Sequence, residues 1–202
     1  PEDEVLHRVR SLGAEDRRQL LAAYVGERNN RRHKPGRALE RTDYRFDVLA
    51  DYGAFRDLQR HRMLTIEWQP LTPLHGFDLP EAVVEAGAER EFTEAMERSA
   101  ALHGAMALRF PEQSSYAVSL AYRIRFVMQF NAREAFHMLE LRSGPQGHAA
   151  YRTVVQDMHR LIKEQAGHAA IADAMSYVDY GVYELERLAS ERAAAARRSA
   201  GV

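Results

Sequence analysis

The sequence predicts an α+β domain, a small central sheet packed by several helices, and three observations carry that prediction. Residues 44–49 and 122–130 have the alternation or apolar density of strands. Six or seven other stretches repeat apolar residues at helical spacing. Neither an internal repeat nor a linker divides the 202 residues, so one domain over 1–202 is expected, with 190–202 as a frayed tail. Strands set among segregated helices are the pattern of an α+β fold.

Glu4 to Leu12 and Ala14 to Tyr24 read as two helices broken at Gly13. Arg28 to Arg37 is basic, lacks periodicity and holds the turn signal Pro35-Gly36, so it reads as a loop. Tyr44 to Leu49 alternates Tyr44, Phe46 and Val48 with Arg45 and Asp47, the pattern of a half-buried strand. After Tyr52-Gly53, Ala54 to Arg62 is predicted to be a helix. Met63 to Trp68 has strand composition, and Pro70, Pro73, Gly76 and Pro80 cut the following segment into loop.

The longest helical pattern runs from Ala82 to Leu108, with Val83, Ala86, Phe92, Met96, Leu102 and Met106 on one side and Gly87 as an interruption. Phe110-Pro111 ends it, and Ser115 to Leu120 reads as a short helical turn. Tyr122 to Phe130 is the second strand. Asn131 to Arg142 follows as a helix, His148 to Gln165 as another, and Tyr177 to Arg198 as a terminal one.

The Asn131 to Arg142 helix organises the functional reading. Asn131 is a good N-cap with Glu134 in the capping-box position, and Ser143-Gly144-Pro145 stops the helix. Ala132, Ala135, Phe136, Met138 and Leu139 supply the buried stripe. Arg133, His137 and Leu141, four residues apart, line another face, with Arg142 one step round. Guanidiniums, an imidazole and an amide at a strand-to-helix junction suit an anionic ligand. Basic residues that complement the helix dipole account for the same pattern.

With 46% hydrophobic and 28% charged residues the chain has the composition of a soluble globular protein, and its net charge of −1 gives no global attraction to nucleic acid or membrane. The basic run 28–41 lacks interleaved aromatics for base stacking, so no nucleic-acid partner is expected. No apolar run is long enough to span a bilayer and no secretory leader is legible, so a cytoplasmic location is expected. The chain opens on Pro1 rather than methionine, as expected of part of a longer polypeptide. Without cysteine it has no disulfide, thiolate metal site or cysteine nucleophile. His137, His148 and His159 recur every eleven residues, but across a helix break and without a carboxylate at ligand spacing, so no metal is expected. Neither common glycine-rich phosphate loop is present, and no nucleophile elbow occurs.

Three basic clusters remain: Arg28 to Arg41, Gln59 to Arg62, and Asn131 to Arg142. A solvated charged surface explains each alone, and convergence would make a polyanion site. Gln59-Arg60-His61-Arg62, followed by Asn131-x-Arg133-x-x-x-His137-x-x-x-Leu141-Arg142, resembles the flavin-dependent thymidylate synthase family over roughly residues 30 to 160. The loop around His33 to Arg41 is similar to an earlier His…Glu-His segment of that family, with Glu40 kept and Arg41 at the second histidine.

The resemblance implies a thymidylate synthase-complementing-protein-like fold, assembled as a homotetramer with flavin sites between subunits, or as a dimer if the chain is part of a tandem polypeptide. It implies methylation of dUMP to dTMP with methylenetetrahydrofolate and NADPH as co-substrates and FAD as hydride carrier. Arg60, His61, Arg62, Glu67, Asn131, Arg133 and His137 would then contact FAD, and Arg142 would face the pyrimidine as the catalytic residue. The family's serine and arginine, which hold the nucleotide phosphate, are here Pro70 and Thr72. Its Ser-x-Asn-Glu portion reads Thr65-Ile66-Glu67-Trp68. Proline supplies neither a hydroxyl nor a backbone N–H, so a catalytically degenerate FAD-binding or oligomerisation domain of the same family is the alternative.

Overall fold

The computed structural model describes residues 1–181, 183 and 192. Among them are eight α-helices and three strands, in the order α1 (Glu2–Ser11), α2 (Ala14–Val25), β1 (Asp43–Asp51), α3 (Tyr52–Leu58), β2 (Thr65–Trp68), α4 (Glu81–Glu85), α5 (Glu89–Ala107), β3 (Arg123–Asn131), α6 (Ala132–Arg142), α7 (Ala149–Glu164) and α8 (Ala169–Ala174). The α+β class expected from the sequence is the one observed, with a single three-stranded sheet of order β1-β3-β2. The chain forms two compact units: a split unit, Pro1–Tyr44 with the chain from Phe130 on, and a continuous unit, Arg45–Gln129.

In the continuous unit β2 pairs antiparallel with β3, placing Ile66 opposite Met128 and Trp68 opposite Phe126. Alternate residues Ile124, Phe126 and Met128 of β3 are buried while Arg125 and Gln129 face solvent, because side chains on a strand point to opposite faces in turn. Val48 of β1 is likewise buried, and Phe46 is half-buried between exposed Arg45 and Asp47. Arg125 and Asp47 pair on the exposed side at 2.5 and 2.9 Å.

Asp51 ends β1 and starts α3, its side chain accepting from the Ala54 N–H at 2.8 Å. The buried face of α3 is Ala54, Phe55 and Leu58, and no apolar residue continues it. The predicted helix 54–62 therefore stops at Leu58, and Arg60 to Arg62 lie in the turn that leads to β2. Burying Phe55 or Phe126 contributes about 1.5–3 kcal/mol each, and the two rings meet edge-on at 5.0 Å.

The pattern 82–108 resolves into α4 and α5. Gly87, at φ 65°, makes the left-handed step between them that an L side chain rarely adopts. Met96 of α5 packs with Val118 and Tyr122, whose hydroxyl donates to the Met96 carbonyl at 2.7 Å. Leu102, expected on the inner side, is instead exposed. The turn expected at 115–120 is a 3₁₀ turn, Ser114–Ala117.

In the split unit α6 is buried on most of its circumference, through Ala132, Glu134, Ala135, Phe136, Met138, Leu139 and Glu140. Tyr151, Val155, Met158 and Ile162 are the buried residues of α7's apolar face. Neither α1 nor α2 contains a buried residue, and α8 was not legible in the sequence. Tyr177 to Gly181 is not helical, and the rest of the predicted terminal helix lies outside the described residues, apart from residues 183 and 192.

Candidate active site

Asn131 caps α6 as its sequence suggests, its side chain accepting from the Glu134 N–H at 2.9 Å. The cap fixes the first turn, and Arg133, His137, Leu141 and Arg142 then form the half-buried stripe of an otherwise buried helix. Arg133, 31% exposed, donates from Nε to the Pro35 carbonyl at 3.0 Å and from Nη1 to Glu40 at 3.1 Å. Arg37 grips the same carboxylate at 3.0–3.2 Å. The Arg37 guanidinium, with Arg133 beside it, holds the Glu40 carboxyl below the usual carboxylate range. Arg142 lies over the Tyr151 ring at 5.5 Å.

The split unit thus brings the 28–41 loop and α6 together through opposite charges. Arg28, read as part of a basic surface loop, is a core residue instead. Its guanidinium meets Glu140 in a bidentate pair at 2.6 and 2.5 Å, with the two side chains only 4% and 0% exposed. It also donates to the His33 carbonyl at 2.7 Å and lies 4.9 Å from the Phe136 ring centre and 5.4 Å from that of Tyr177. Arg31, also in this loop, is half-buried, while Arg32, His33, Lys34, Arg37 and Arg41 are exposed.

In the continuous unit Arg60 extends into solvent, 67% exposed, with a long contact to Asp57 at 3.5 Å. His61 is buried, Arg62 is exposed, and Glu67 is exposed on β2 opposite Val127. Two histidines of the eleven-residue series have hydrogen-bonding roles of their own: His148 caps α7, and His159 joins the Tyr180 hydroxyl at 2.7 Å and the Ala172 carbonyl at 2.9 Å.

The continuous unit also holds a cleft of about 710 Å³ lined by Tyr52, Trp68, Thr72, His103, Ser115 and Tyr116 among others. Pro70 and Thr72 are in its wall. Thr72 Oγ1 already accepts from the Leu74 N–H at 3.4 Å, and Ser114 Oγ donates to the Pro111 carbonyl at 2.7 Å. Sequence reasoning missed His103, Ser115 and Tyr116, because nothing in a single chain's pattern links positions so far apart.

The model of the thymidylate synthase complementing protein family matches residues 7–167 of this sequence. The chain belongs to that family. A UPF0159 protein of Chlamydia muridarum (strain MoPn / Nigg) is 40% identical over 188 residues, and one of Thermoplasma acidophilum is 36% identical over 189. Each alignment covers 93% of this chain but only 35% and 38% of the relative, so the chain spans about a third of the length of these curated relatives. A UMP/dUMP methylase, PolB, from Streptomyces cacaoi, solved with 5-Br dUMP bound, shares the fold with a TM-score of 0.65 and 17% identity, over 82% of this chain and 81% of that one. Among the described residues no helix is long and apolar enough to cross a membrane.

Each unit taken by itself offers cationic side chains to an anionic group. In the continuous unit Arg60 and Arg62 are open to solvent. In the split unit the α6 stripe offers Arg133 and His137, with Arg133 using Nε and Nη1 for its own bonds. Guanidiniums of this kind match the geometry of phosphate.

Proposed function

We propose that this chain is a flavin-dependent thymidylate synthase-type methyltransferase domain, acting on dUMP with methylenetetrahydrofolate and NADPH as co-substrates. The observation that carries the reading is the half-buried stripe Arg133, His137 and Arg142 on capped, buried α6, in a chain that its family's model matches over residues 7–167. FAD, when bound, would supply the hydride carrier between the nicotinamide and the methylene carbon. Arg60, His61, Arg62, Glu67, Asn131, Arg133 and His137 would hold it. The guanidiniums would neutralise its pyrophosphate and favour negative charge at the N1/O2 edge, as a hydride donor requires. Arg142 would orient the pyrimidine. Assembly as a homo-oligomer, a tetramer or a dimer of tandem chains, would complete the site.

A second reading has its own observation. Pro70 and Thr72 stand where the family places its phosphate-holding serine and arginine, which favours a catalytically degenerate FAD-binding or oligomerisation domain. The visible absorption spectrum of purified protein, before and after adding FAD, tests both. Flavin bands with methylation of dUMP under reducing, folate-supplied conditions support the enzyme. Flavin bands without turnover, and activity restored by an active homologous half, support the second reading. A protein that stays colourless with added FAD defeats the flavin assignment.

A further inference from the structure

We propose that residues 175–181 form a strap that fixes the end of α6 and thereby the direction of Arg142, with Ser143 and Arg152 as its positioning residues. All of them belong to the split unit. The hold on Arg142 stands on their contacts alone, and its consequence for a nucleotide rests on the reading above, in which Arg142 orients the pyrimidine.

The strap is neither helix nor strand. Among the described residues it closes one backbone hydrogen bond within itself, from the Val178 N–H to the Met175 carbonyl at 3.2 Å. Peptide groups along it go instead to side chains of α6 and α7, and to Ser143 at the end of α6. Asp179 gives its N–H to Ser143 Oγ at 2.9 Å and accepts from Gln156 Nε2 on its carbonyl at 2.8 Å. Tyr177 gives its N–H to Glu140 at 3.4 Å, and the Gly181 carbonyl accepts from Arg152 Nη2 at 2.7 Å. Glu140, Ser143 and Arg152 are all buried, so moving the strap away would strand polar groups that water does not reach. Tyr177 adds cover. Its hydroxyl donates to the Arg28 carbonyl at 2.7 Å while its ring packs on the Arg28 guanidinium.

The same buried groups grip the end of α6. Carbonyls at a helix C-terminus have no partner within the helix, and that of Ser143, the C-cap, accepts from Arg152 Nε at 2.8 Å. Arg152 thus joins the end of α6 to the strap, with Nε on Ser143 and Nη2 on Gly181. The rigid fork of a guanidinium suits that span, whereas an ammonium has a single nitrogen to offer. Arg142 comes one residue before Ser143, and Tyr151 one residue before Arg152. Two adjacent residues at the end of α6 therefore meet two adjacent residues of α7: a cation over a ring at 5.5 Å, beside a carbonyl on a guanidinium. Tyr151 is buried, so its ring is a fixed platform. Loosening the strap frees Ser143 and Arg152 together and lets the end of α6 turn Arg142 away from that ring. A small displacement of a group that orients a substrate is costly.

Arginine Nε–H resonances of the full chain, recorded by heteronuclear NMR in the cold at mildly acidic pH, test the strap. Arg142→Lys assigns the Arg142 signal by its loss. The Tyr151 ring should shift that signal away from the position of a solvent-exposed arginine, and Tyr151→Leu should abolish the shift. Ser143→Ala and Arg152→Lys should each remove most of it while the chain still melts cooperatively; if one of them fails to fold, the other decides. Equilibrium dialysis with dUMP then reads the consequence. Both strap variants, like Arg142→Ala, should weaken dUMP by roughly fivefold or more, with bound flavin unchanged by visible absorption. An Arg142 signal that is unshifted in the parent chain, or that keeps its shift in the strap variants, overturns the proposal. So does dUMP binding that Arg142→Ala weakens and the strap variants do not. If the signal moves as expected but not even Arg142→Ala weakens dUMP, the hold on Arg142 is upheld and the nucleotide reading falls.

Discussion

Arg28 is surrounded in sequence by Glu27, Asn29, Asn30, Arg31 and Arg32, and everything local to it says surface. In the fold it is a buried strut that fixes α6 through Glu140 and Phe136. Removing one member of a buried pair strands the other charge in low dielectric, which costs about 3–5 kcal/mol. Arg28→Ala and Glu140→Ala should each lower the unfolding free energy read from urea denaturation by that much, with an unchanged value refuting the strut. The double change to apolar residues of similar volume should cost less than either single one. Tyr44 makes a prediction about pH. Burial pushes its phenol up from 10.0 to about 12, and its hydroxyl lies 3.0 Å from His168 Nδ1. A raised folded pKa means the unfolded chain loses its proton first. That stability is complete below pH 10 and disappears as pH rises through 12. Thermal melts across this window should show a steep alkaline loss, with a shallower slope in Tyr44→Phe. The clasped carboxylate Glu40 works in the opposite direction, since its lowered pKa gives stability above the usual carboxylate range that is lost on acidification.

Among the elements, α6 was legible in most of its parts. Asn131, the apolar stripe and the Ser143 end were all in the sequence, and the structure places them as read. Two glutamates, Glu134 and Glu140, were not readable as buried, because helical periodicity counts acids as outward-facing. The cap is testable: Asn131→Ala should cost about 1 kcal/mol and Asn131→Asp much less, by chemical denaturation. An equal loss in both would mean that Asn131 acts through something other than its cap. Prediction slipped at ends and interruptions, and it also missed α8 and read Tyr177 to Gly181 as helix. The 54–62 pattern overran α3 because polar Gln59 and Arg60 keep helical propensity even after the buried face has finished at Leu58. Gly87 was visible as an interruption, and its positive φ shows why it divides α4 from α5.

For the molecule as a whole, membership of the thymidylate synthase complementing protein family sets the question, and the residues proposed to hold flavin set the test. Arg60→Ala and Arg133→Ala should each reduce bound flavin severalfold while leaving the melting temperature within a few degrees, because neither side chain is buried. Retained flavin would remove them from the site, and a collapsed melting temperature would make the loss structural. The sequence by itself determined what depends on neighbours along the chain: the alternation of 44–49 and 122–130, the cap at Asn131, the spacing of Arg133, His137 and Arg142, and the motif that carries the family. Only the tertiary structure decided which charges meet. Arg28 finds Glu140 and Arg133 finds Glu40 across long stretches of chain. Tyr52, Trp68, His103 and Tyr116 converge on one cleft for the same reason. Periodicity records which face of an element is buried, whereas the pairing of charges and the walls of a cleft depend on contacts between residues distant in sequence.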